Sequence, residues 1–215
     1  MKTGILFDLD GTLLDTLDDL ADAVNLALAE FRFPARSICQ VREFVGNGAG
    51  QLIRLAVPEG TAPEIVCQVL AAFRRHYAQN CRCKTRPYPG ISEVLAELSR
   101  EYPIAIVSNK PDSAVKELCA FWFPGIFALG EGPDCPRKPA PDMVRKAMDS
   151  IGVEGCVYVG DSEVDVLTAK NAGVPCLSVL WGFRDTEVLI HAGAAYFCQE
   201  PAGMAQALRD ILSGL

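Results

Sequence analysis

The sequence has few of the residues that would point to several common functions. It holds only two histidines and two tryptophans in 215 residues, and no apolar run approaches the roughly 18 residues that a membrane-spanning helix needs. Positive charge is also scarce, because 20 lysines and arginines face 27 aspartates and glutamates and leave a net charge of −7. Nucleic acids and anionic membranes are bound largely through cationic side chains, so we expect neither as a partner.

The cysteine pattern also does not indicate a disulfide framework. The nine cysteines are odd in number and scattered, and the opening residues become acidic too early for a secretory signal peptide. We therefore expect a reducing, cytoplasmic location. Cys81 and Cys83 have the spacing of half a zinc site, but His76, His191 and the other cysteines supply no second pair at a suitable distance along the chain. This favours Cys81 and Cys83 as ordinary thiols rather than zinc ligands.

Apolar patterns predict an α/β fold. Hydrophobic residues make up 50% of the sequence, and a chain of this length buries roughly 70% of its extended surface on folding. Runs rich in β-branched residues predict buried strands at 5–7, 104–107, 126–129, 157–159 and 176–179. Helical patterns lie between most of these strands, at 91–101, 111–122, 140–151 and 163–172. This alternation predicts a doubly wound, mainly parallel, Rossmann-like sheet covered by helices on both faces.

The segment 16–80 interrupts that alternation. It has no convincing strand pattern, and its apolar residues recur at helical spacing in three amphipathic stretches. Thr16 and Asp19 have the spacing of a capping box at the start of the first stretch. We therefore predict a small helical cap at 16–80, inserted into a core formed by 1–15 and 81–215.

Two carboxylates follow the first predicted strand, in the run Asp8-Leu9-Asp10-Gly11-Thr12. Ligands of open α/β sheets bind beyond the carboxyl ends of the strands, and residues two apart on extended backbone point to the same side. Gly11 allows the chain to turn sharply just beyond the pair. The two carboxylates suit a divalent cation or a shared proton, whereas the alternative is an Asx-turn with solvated aspartates.

Further polar residues lie where later strands end. Ser108 precedes a predicted helix, where a hydroxyl and free N–H groups favour an anion, although a simple N-cap has the same pattern. Lys138 lies in a loop stiffened by prolines, which suits either a phosphate contact or an exposed lysine. Asp161 follows another strand, and Asp165 either supports a cation site or caps the next helix together with Ser162.

These motifs, in this order, resemble those of the haloacid dehalogenase-like superfamily of aspartate-nucleophile phosphotransferases. The resemblance covers nearly the whole chain, including a cap inserted after the first motif. It implies Mg²⁺ as the cofactor, bound by Asp8, Asp161 and the backbone carbonyl of Asp10, with Asp165 behind them. It also implies a small phosphorylated metabolite as the partner.

The resemblance further implies catalytic roles. Asp8 would be the nucleophile that forms an aspartyl phosphate, and Asp10 the general acid and base. Ser108 and Lys138 would hold the phosphoryl oxygens, and Lys138 and the cation would keep Asp8 ionised. The other core residues expected at the substrate are Gly11, Thr12 and Asn109.

The aspartate at position 10 and the composition of the cap narrow the choice among the reactions of the superfamily. Dehalogenases of the superfamily typically have tyrosine at the position of Asp10 and phosphonatases alanine, so aspartate favours phosphate monoesters. Phosphonatases also use a cap lysine, and the segment 16–80 contains none.

The cap run Gly46-Asn47-Gly48 is similar to a loop that phosphoglycolate phosphatases close over their site. We therefore expect hydrolysis of 2-phosphoglycolate, with its carboxylate held by this loop or by an arginine such as Arg54. The alternatives are a phosphatase of sugar phosphates, nucleotides or pyrophosphate, a phosphomutase of the β-phosphoglucomutase type, and a non-enzymatic regulator. The oligomeric state is expected to be a monomer or a homodimer.

Overall fold

The computed structural model describes residues 2–133 and 135–214; Met1, Asp134 and Leu215, which the predicted core includes, lie outside the described residues. The strands are β1 (Thr3–Phe7), β2 (Leu14–Asp15), β3 (Arg86–Pro87), β4 (Ile104–Pro111), β5 (Phe127–Glu131), β6 (Gly155–Gly160), β7 (Cys176–Val179) and β8 (Tyr196–Cys198). The helices are α1 (Leu17–Glu30), α2 (Ile38–Phe44), α3 (Gly48–Ala56), α4 (Pro63–Asn80), α5 (Ile91–Leu98), α6 (Asp112–Trp122), α7 (Asp142–Ile151), α8 (Glu163–Ala172), α9 (Thr186–Ala192) and α10 (Met204–Ser213).

Six strands form one parallel sheet in the order β5-β4-β1-β6-β7-β8. Ile5 of β1 is in register with Ile104 on one side and Val157 on the other. The chain extends the sheet in opposite directions from β1, so the loops that leave β1 and its neighbours diverge. This reversal opens a crevice at the carboxyl ends of the strands. The predicted α/β class, with its doubly wound parallel sheet, is confirmed.

The alternation of side chains along the strands explains the two layers of helices. Leu6 and Tyr158 face one side and pack with α7 and α8, whereas Phe7 and Val159 face the other side and share a core with α5, α6 and α10. Both faces of the sheet are therefore covered, as a parallel sheet of nearly continuous apolar strands requires.

Helices α1 to α4 lie between the short strands β2 and β3, which pair antiparallel through Leu14 with Pro87 and Asp15 with Arg86. The sequence patterns predicted three of these helices and missed α2. They also missed β2, β3 and the edge strand β8. Each of these strands has only two or three residues, too few for a periodic pattern to be visible.

The predicted capping box at Thr16 is wrong. Thr16 precedes α1, but its hydroxyl donates to Asp10 Oδ1 at 2.7 Å and makes no capping bond. Asp19 instead accepts hydrogen bonds from the N–H groups of Lys84 and Thr85, at 2.9 and 2.8 Å. These residues therefore connect the first cap helix to the core and to the returning chain.

No helix within the described ranges is long and apolar enough to cross a membrane.

Candidate active site

The side chains singled out by the motifs meet at the carboxyl edge of the central strands. Asp8 follows β1, Ser108 lies near the end of β4, and Asp161 follows β6. The Asp8 N–H donates to the carbonyl of Val159 at 2.8 Å, which continues the sheet ladder to Asp8. All three side chains are buried, so their positions are set by the sheet rather than by solvent-exposed loops.

Three carboxylates form a cluster at this edge. Asp8, Asp161 and Asp165 each offer an oxygen atom, and these oxygens lie within 4.8 Å of one another. Carboxylate oxygens are the donors that a hard divalent cation takes, and a buried group of three negative charges needs compensation. The donor set therefore fits Mg²⁺. Elsewhere in the described chain no group of histidine, cysteine and acidic side chains has such a geometry, and the Cys81 and Cys83 thiols are free.

Asp161 is held in place by two donors and two glycines. Its carboxylate accepts a hydrogen bond from the Thr12 hydroxyl at 3.1 Å and from the Phe183 N–H at 2.7 Å. A β-carbon on Gly11, whose φ is +79°, would lie 2.3 Å from Asp161 Oδ2, and one on Gly182 would lie 2.2 Å from Asp161 Cβ. Both positions therefore require glycine because the carboxylate occupies the space of a side chain.

Lys138 connects the carboxylates. Its Nζ lies 2.8 Å from Asp8 Oδ1, 2.7 Å from Asp165 Oδ1 and 3.0 Å from the Tyr158 hydroxyl, and its side chain is only 2% exposed. The alternative of an exposed lysine therefore does not apply. Asn109 fixes the backbone of this residue, because its amide accepts from Lys138 N at 2.8 Å and donates to Lys138 O at 2.9 Å.

Asp165 lies both at the start of α8 and in the carboxylate cluster. Its Oδ2 accepts hydrogen bonds from the Ser162 N–H at 3.1 Å and the Ser162 hydroxyl at 2.6 Å, at the start of α8. Its Oδ1 meanwhile pairs with Lys138 and belongs to the carboxylate cluster. Asp165, at the start of α8, thus carries the negative charge that orients Lys138.

Burial and neighbouring charges shift the pKa values of the carboxylates in the cluster. Burial, and then the charge of Asp165, raises the pKa of Asp8 well above its usual value, while Lys138 only partly opposes this shift. Burial and Asp165 also raise the pKa of Asp161 to about 7. Lys138 therefore offsets only part of the upward shift, and a bound divalent cation would supply further positive charge beside Asp8.

Asp10 lies beside a second buried lysine that the sequence reasoning missed. Asp10 Oδ1 accepts from the Thr16 hydroxyl, and its Oδ2 is 3.0 Å from Lys110 Nζ. Lys110 also donates to the Tyr77 hydroxyl of α4 at 2.9 Å. Burial opposes the charge on Lys110, but Asp10 and Tyr77 outweigh it and raise the pKa of this lysine. Its position two residues after Ser108 was the available signal.

The site opens into a cavity of about 300 Å³ between the sheet edge and the helices α1, α3 and α4. Gly46 and Gly48 line this cavity, as do Asp10, Ser108 and Lys138. Asn47 is not part of the lining. Arg54 is exposed and also lies outside the lining, so it is not in position to hold a substrate carboxylate.

Two core residues hold the cap loop in place over the cavity. Asn109 Nδ2 donates to the Gly46 carbonyl at 3.1 Å and to the Lys138 carbonyl at 2.9 Å, so its side chain links the cap loop to the loop that carries Lys138. The Arg184 guanidinium donates to the carbonyls of Arg42 at 3.0 Å and Val45 at 2.5 Å. Glu163 accepts from its Nε at 2.9 Å and fixes its orientation.

The comparisons with known proteins agree with this architecture. Residues 5–179 match the family described as haloacid dehalogenase-like hydrolase, and the chain belongs to this family. Phosphoglycolate phosphatase from Cereibacter sphaeroides is 36% identical over an alignment of 192 positions that covers 86% of this chain and 88% of the relative. Phosphoglycolate phosphatase 1 from Pseudomonas aeruginosa is 33% identical over an alignment of 219 positions that covers 97% of this chain and 78% of the relative. A solved structure from Lactobacillus delbrueckii subsp. bulgaricus has a TM-score of 0.90 at 34% identity and covers 97% of this chain and 99% of its own.

Proposed function

We propose that this chain is a Mg²⁺-dependent phosphate monoester hydrolase that works through an aspartyl phosphate on Asp8, with 2-phosphoglycolate as its preferred substrate. The observation that carries the proposal is the buried cluster of Asp8, Asp161 and Asp165, in which Lys138 bridges Asp8 and Asp165. Membership of the hydrolase family supports the reaction class.

In the first step, an oxygen of Asp8 attacks phosphorus while the bond from phosphorus to the ester oxygen breaks. Asp10 gives a proton to the departing oxygen, so that an alcohol leaves. Ser108, on β4, and Lys138, in the loop that precedes α7, hold the phosphoryl oxygens. The cavity brings these four side chains to one wall, which supports these roles.

In the second step, Asp10 takes a proton from water and the resulting hydroxide attacks the aspartyl phosphate. The bond from phosphorus to Asp8 breaks, inorganic phosphate leaves and the Asp8 carboxylate is restored. The covalent intermediate divides one difficult displacement into two in-line displacements. Residues Gly46 and Gly48 of the cap loop limit access of water during the first step.

Mg²⁺ would be held by Asp8, Asp161 and the carbonyl of Asp10, with Asp165 behind them. When bound, it supplies positive charge to the phosphoryl group and to the carboxylates. Thr12, Phe183 and the two glycines at 11 and 182 support this set because they fix Asp161 before a cation arrives.

The substrate is proposed from the relatives and from the shape of the site. Both curated relatives reported above are named for phosphoglycolate hydrolysis. The cap loop at Gly46 and Gly48 lines the cavity together with the catalytic side chains and leads into the N-terminus of α3, where N–H groups favour a negative charge. This loop is proposed to close over the anionic substrate.

Phosphate release from a panel of esters tests the proposal. Purified wild-type protein with Mg²⁺ is expected to release phosphate from 2-phosphoglycolate with a higher kcat/KM than from sugar phosphates, nucleotides or pyrophosphate. The Asp8→Asn variant is expected to release none. Equal or better turnover of another panel member would contradict the substrate, and isomerisation of a sugar phosphate without phosphate release would indicate a mutase.

A further inference from the structure

Lys110 is a buried cation at the cavity for which the proposed mechanism has no role. Its side chain is 4% exposed, and its Nζ lies 3.0 Å from Asp10 Oδ2 and 2.9 Å from the Tyr77 hydroxyl. Lys110 also lines the cavity. Burying an ammonium group is costly unless other groups compensate for it, so its presence at this wall calls for a physical explanation.

The two buried lysines of the site differ in how completely they are neutralised. Lys138 lies within 2.8 Å of two carboxylates, those of Asp8 and Asp165. Lys110 contacts a single carboxylate, that of Asp10, whose other oxygen accepts from Thr16. An ammonium group has three N–H donors, and Asp10 and Tyr77 engage two of those on Lys110. One donor and part of the charge therefore remain for a ligand in the cavity.

The other cations that line the cavity are less suited to an anion beside Asp10. Arg184 uses its guanidinium on Glu163 and on the carbonyls of Arg42 and Val45. Arg74 on α4 is exposed, where water weakens its attraction for a charge. Lys110 is buried and lies at the junction between the core, through Asp10, and the cap, through Tyr77.

We propose that Lys110, held by Tyr77, binds the carboxylate of the substrate and thereby selects phosphate esters of small 2-hydroxy acids. This proposal rests on the proposed function, in which Asp10 meets the ester oxygen of the leaving group. In such an ester the carboxylate is attached to the carbon that carries that oxygen. An ester oxygen at Asp10 therefore brings the carboxylate to the neighbouring Lys110, where a charge-assisted hydrogen bond forms.

Two substrates of similar size distinguish recognition of the carboxylate by Lys110 from a general effect of Lys110 on activity. The ester 2-hydroxyethyl phosphate has the size of 2-phosphoglycolate but carries a hydroxyl in place of the carboxylate. The measured quantity is the ratio of kcat/KM for 2-phosphoglycolate to that for 2-hydroxyethyl phosphate, with Mg²⁺ present. We expect the wild-type ratio to be about 100 or more, because a site built around a polar group discriminates against an analogue that lacks it.

Replacing the lysine is expected to remove that preference. Lys110→Met should lower kcat/KM for both esters, but for 2-phosphoglycolate by about 10- to 100-fold more. Lys110→Arg should retain part of the ratio, because it keeps the charge. Lys116→Met is the matched control, since Lys116 is an exposed lysine on α6 that pairs with Asp112 and does not line the cavity, and it should leave the ratio unchanged. Should Lys110→Met not fold, Tyr77→Phe keeps the ammonium but removes its support, and the ratio should fall about 3-fold.

Two results would overturn the proposal. One is an unchanged ratio, with equal loss for both esters, in a folded Lys110→Met or, if that variant does not fold, in Tyr77→Phe. Lys110 would then serve only to hold Asp10. The other is a wild-type protein that hydrolyses both esters equally well. Absence of phosphate release from every ester of the panel would instead contradict the proposed function itself.

Discussion

The two walls of the cavity are built differently. The core wall consists of buried charged side chains, with Lys138 in contact with two carboxylates and Asp161 held by Thr12 and the Phe183 N–H. The cap side meets the core through backbone carbonyls, such as Gly46 O bonded to Asn109 and Val45 O bonded to Arg184, in addition to the contact of Tyr77 with Lys110.

The difference indicates a division of labour. Charges buried among one another have few alternative arrangements, so the core wall is preorganised for chemistry on the phosphoryl group. Carbonyl contacts such as those of Arg184 can be released and remade at low cost, which suits a lid that admits substrate. Changes in the core should therefore affect kcat or cation binding, whereas changes at the cap contacts should affect KM.

The largest effect is expected for the nucleophile. Asp8→Asn should lower phosphate release by about 10⁴-fold or more, because the oxygen of a neutral amide is a poor nucleophile. Fold is checked by thermal unfolding, which should show no loss of stability. Asp149→Asn, at an exposed position on α7, is the matched control and should be fully active. Appreciable activity in a pure Asp8→Asn preparation would refute a covalent role for Asp8.

A smaller effect is expected where the chain passes close to Asp161. In Gly182→Ala the new β-carbon would lie 2.2 Å from Asp161 Cβ and 2.5 Å from the Gly11 carbonyl, so the carboxylate must shift. We expect Mg²⁺ affinity to fall by about 10- to 100-fold, as is typical when the support of a metal ligand is disturbed. Titration of activity with Mg²⁺ measures this. Gly155→Ala, at the opposite end of β6 with only an ordinary contact at 3.9 Å, should bind Mg²⁺ normally.

The cap contact of Arg184 gives a third prediction. Arg184→Gln removes the bonds to the carbonyls of Arg42 and Val45, so the closed position of the loop becomes less favourable. We expect KM to rise about 5-fold, a loss typical of one or two hydrogen bonds, with little change in kcat or Mg²⁺ affinity. Steady-state kinetics decide this, with Arg100→Gln as the matched control because Arg100 is exposed and does not line the cavity, so that KM should stay unchanged. A fall in kcat at unchanged KM would contradict the division between the two walls.

The smallest effect concerns stability without the cation. Burial and Asp165 raise the pKa of Asp161 to about 7, so the folded protein without metal holds a proton that the unfolded chain releases near pH 4. Its stability should therefore fall as the pH rises from about 4 to 7. Adding Mg²⁺ should raise Tm by a few degrees at pH 8 and by less at pH 5, where protons compete for the carboxylates. An equal rise at both pH values, measured by thermal scans, would argue against cation binding to this cluster.

The sequence patterns predicted the scaffold well where elements are long. The five predicted strands and the helices between them carry runs of three or more apolar residues or clear helical spacing, and these elements were found near the predicted positions. The strand predicted at 126–129 is β5, which lies at the edge of the sheet and is only partly buried rather than buried as predicted. Strand β8 and the pair β2 and β3 were missed because they depend on neighbours rather than on local pattern. Thr16 and Asp19 resembled a capping box because local spacing alone cannot reveal a competing partner such as Asp10 or Lys84.

What the sequence alone determined is the parallel sheet and the set of polar residues at strand ends, because apolar periodicity and strand termini are local properties of the chain. What only the tertiary structure decided is which charges meet. Tyr77 contacts Lys110 across 33 positions, and Arg184 contacts Val45 across 139. Such contacts depend on how the cap packs on the core, and no spacing in the sequence encodes that geometry. The same packing set the volume of the cavity and left Arg54 outside it.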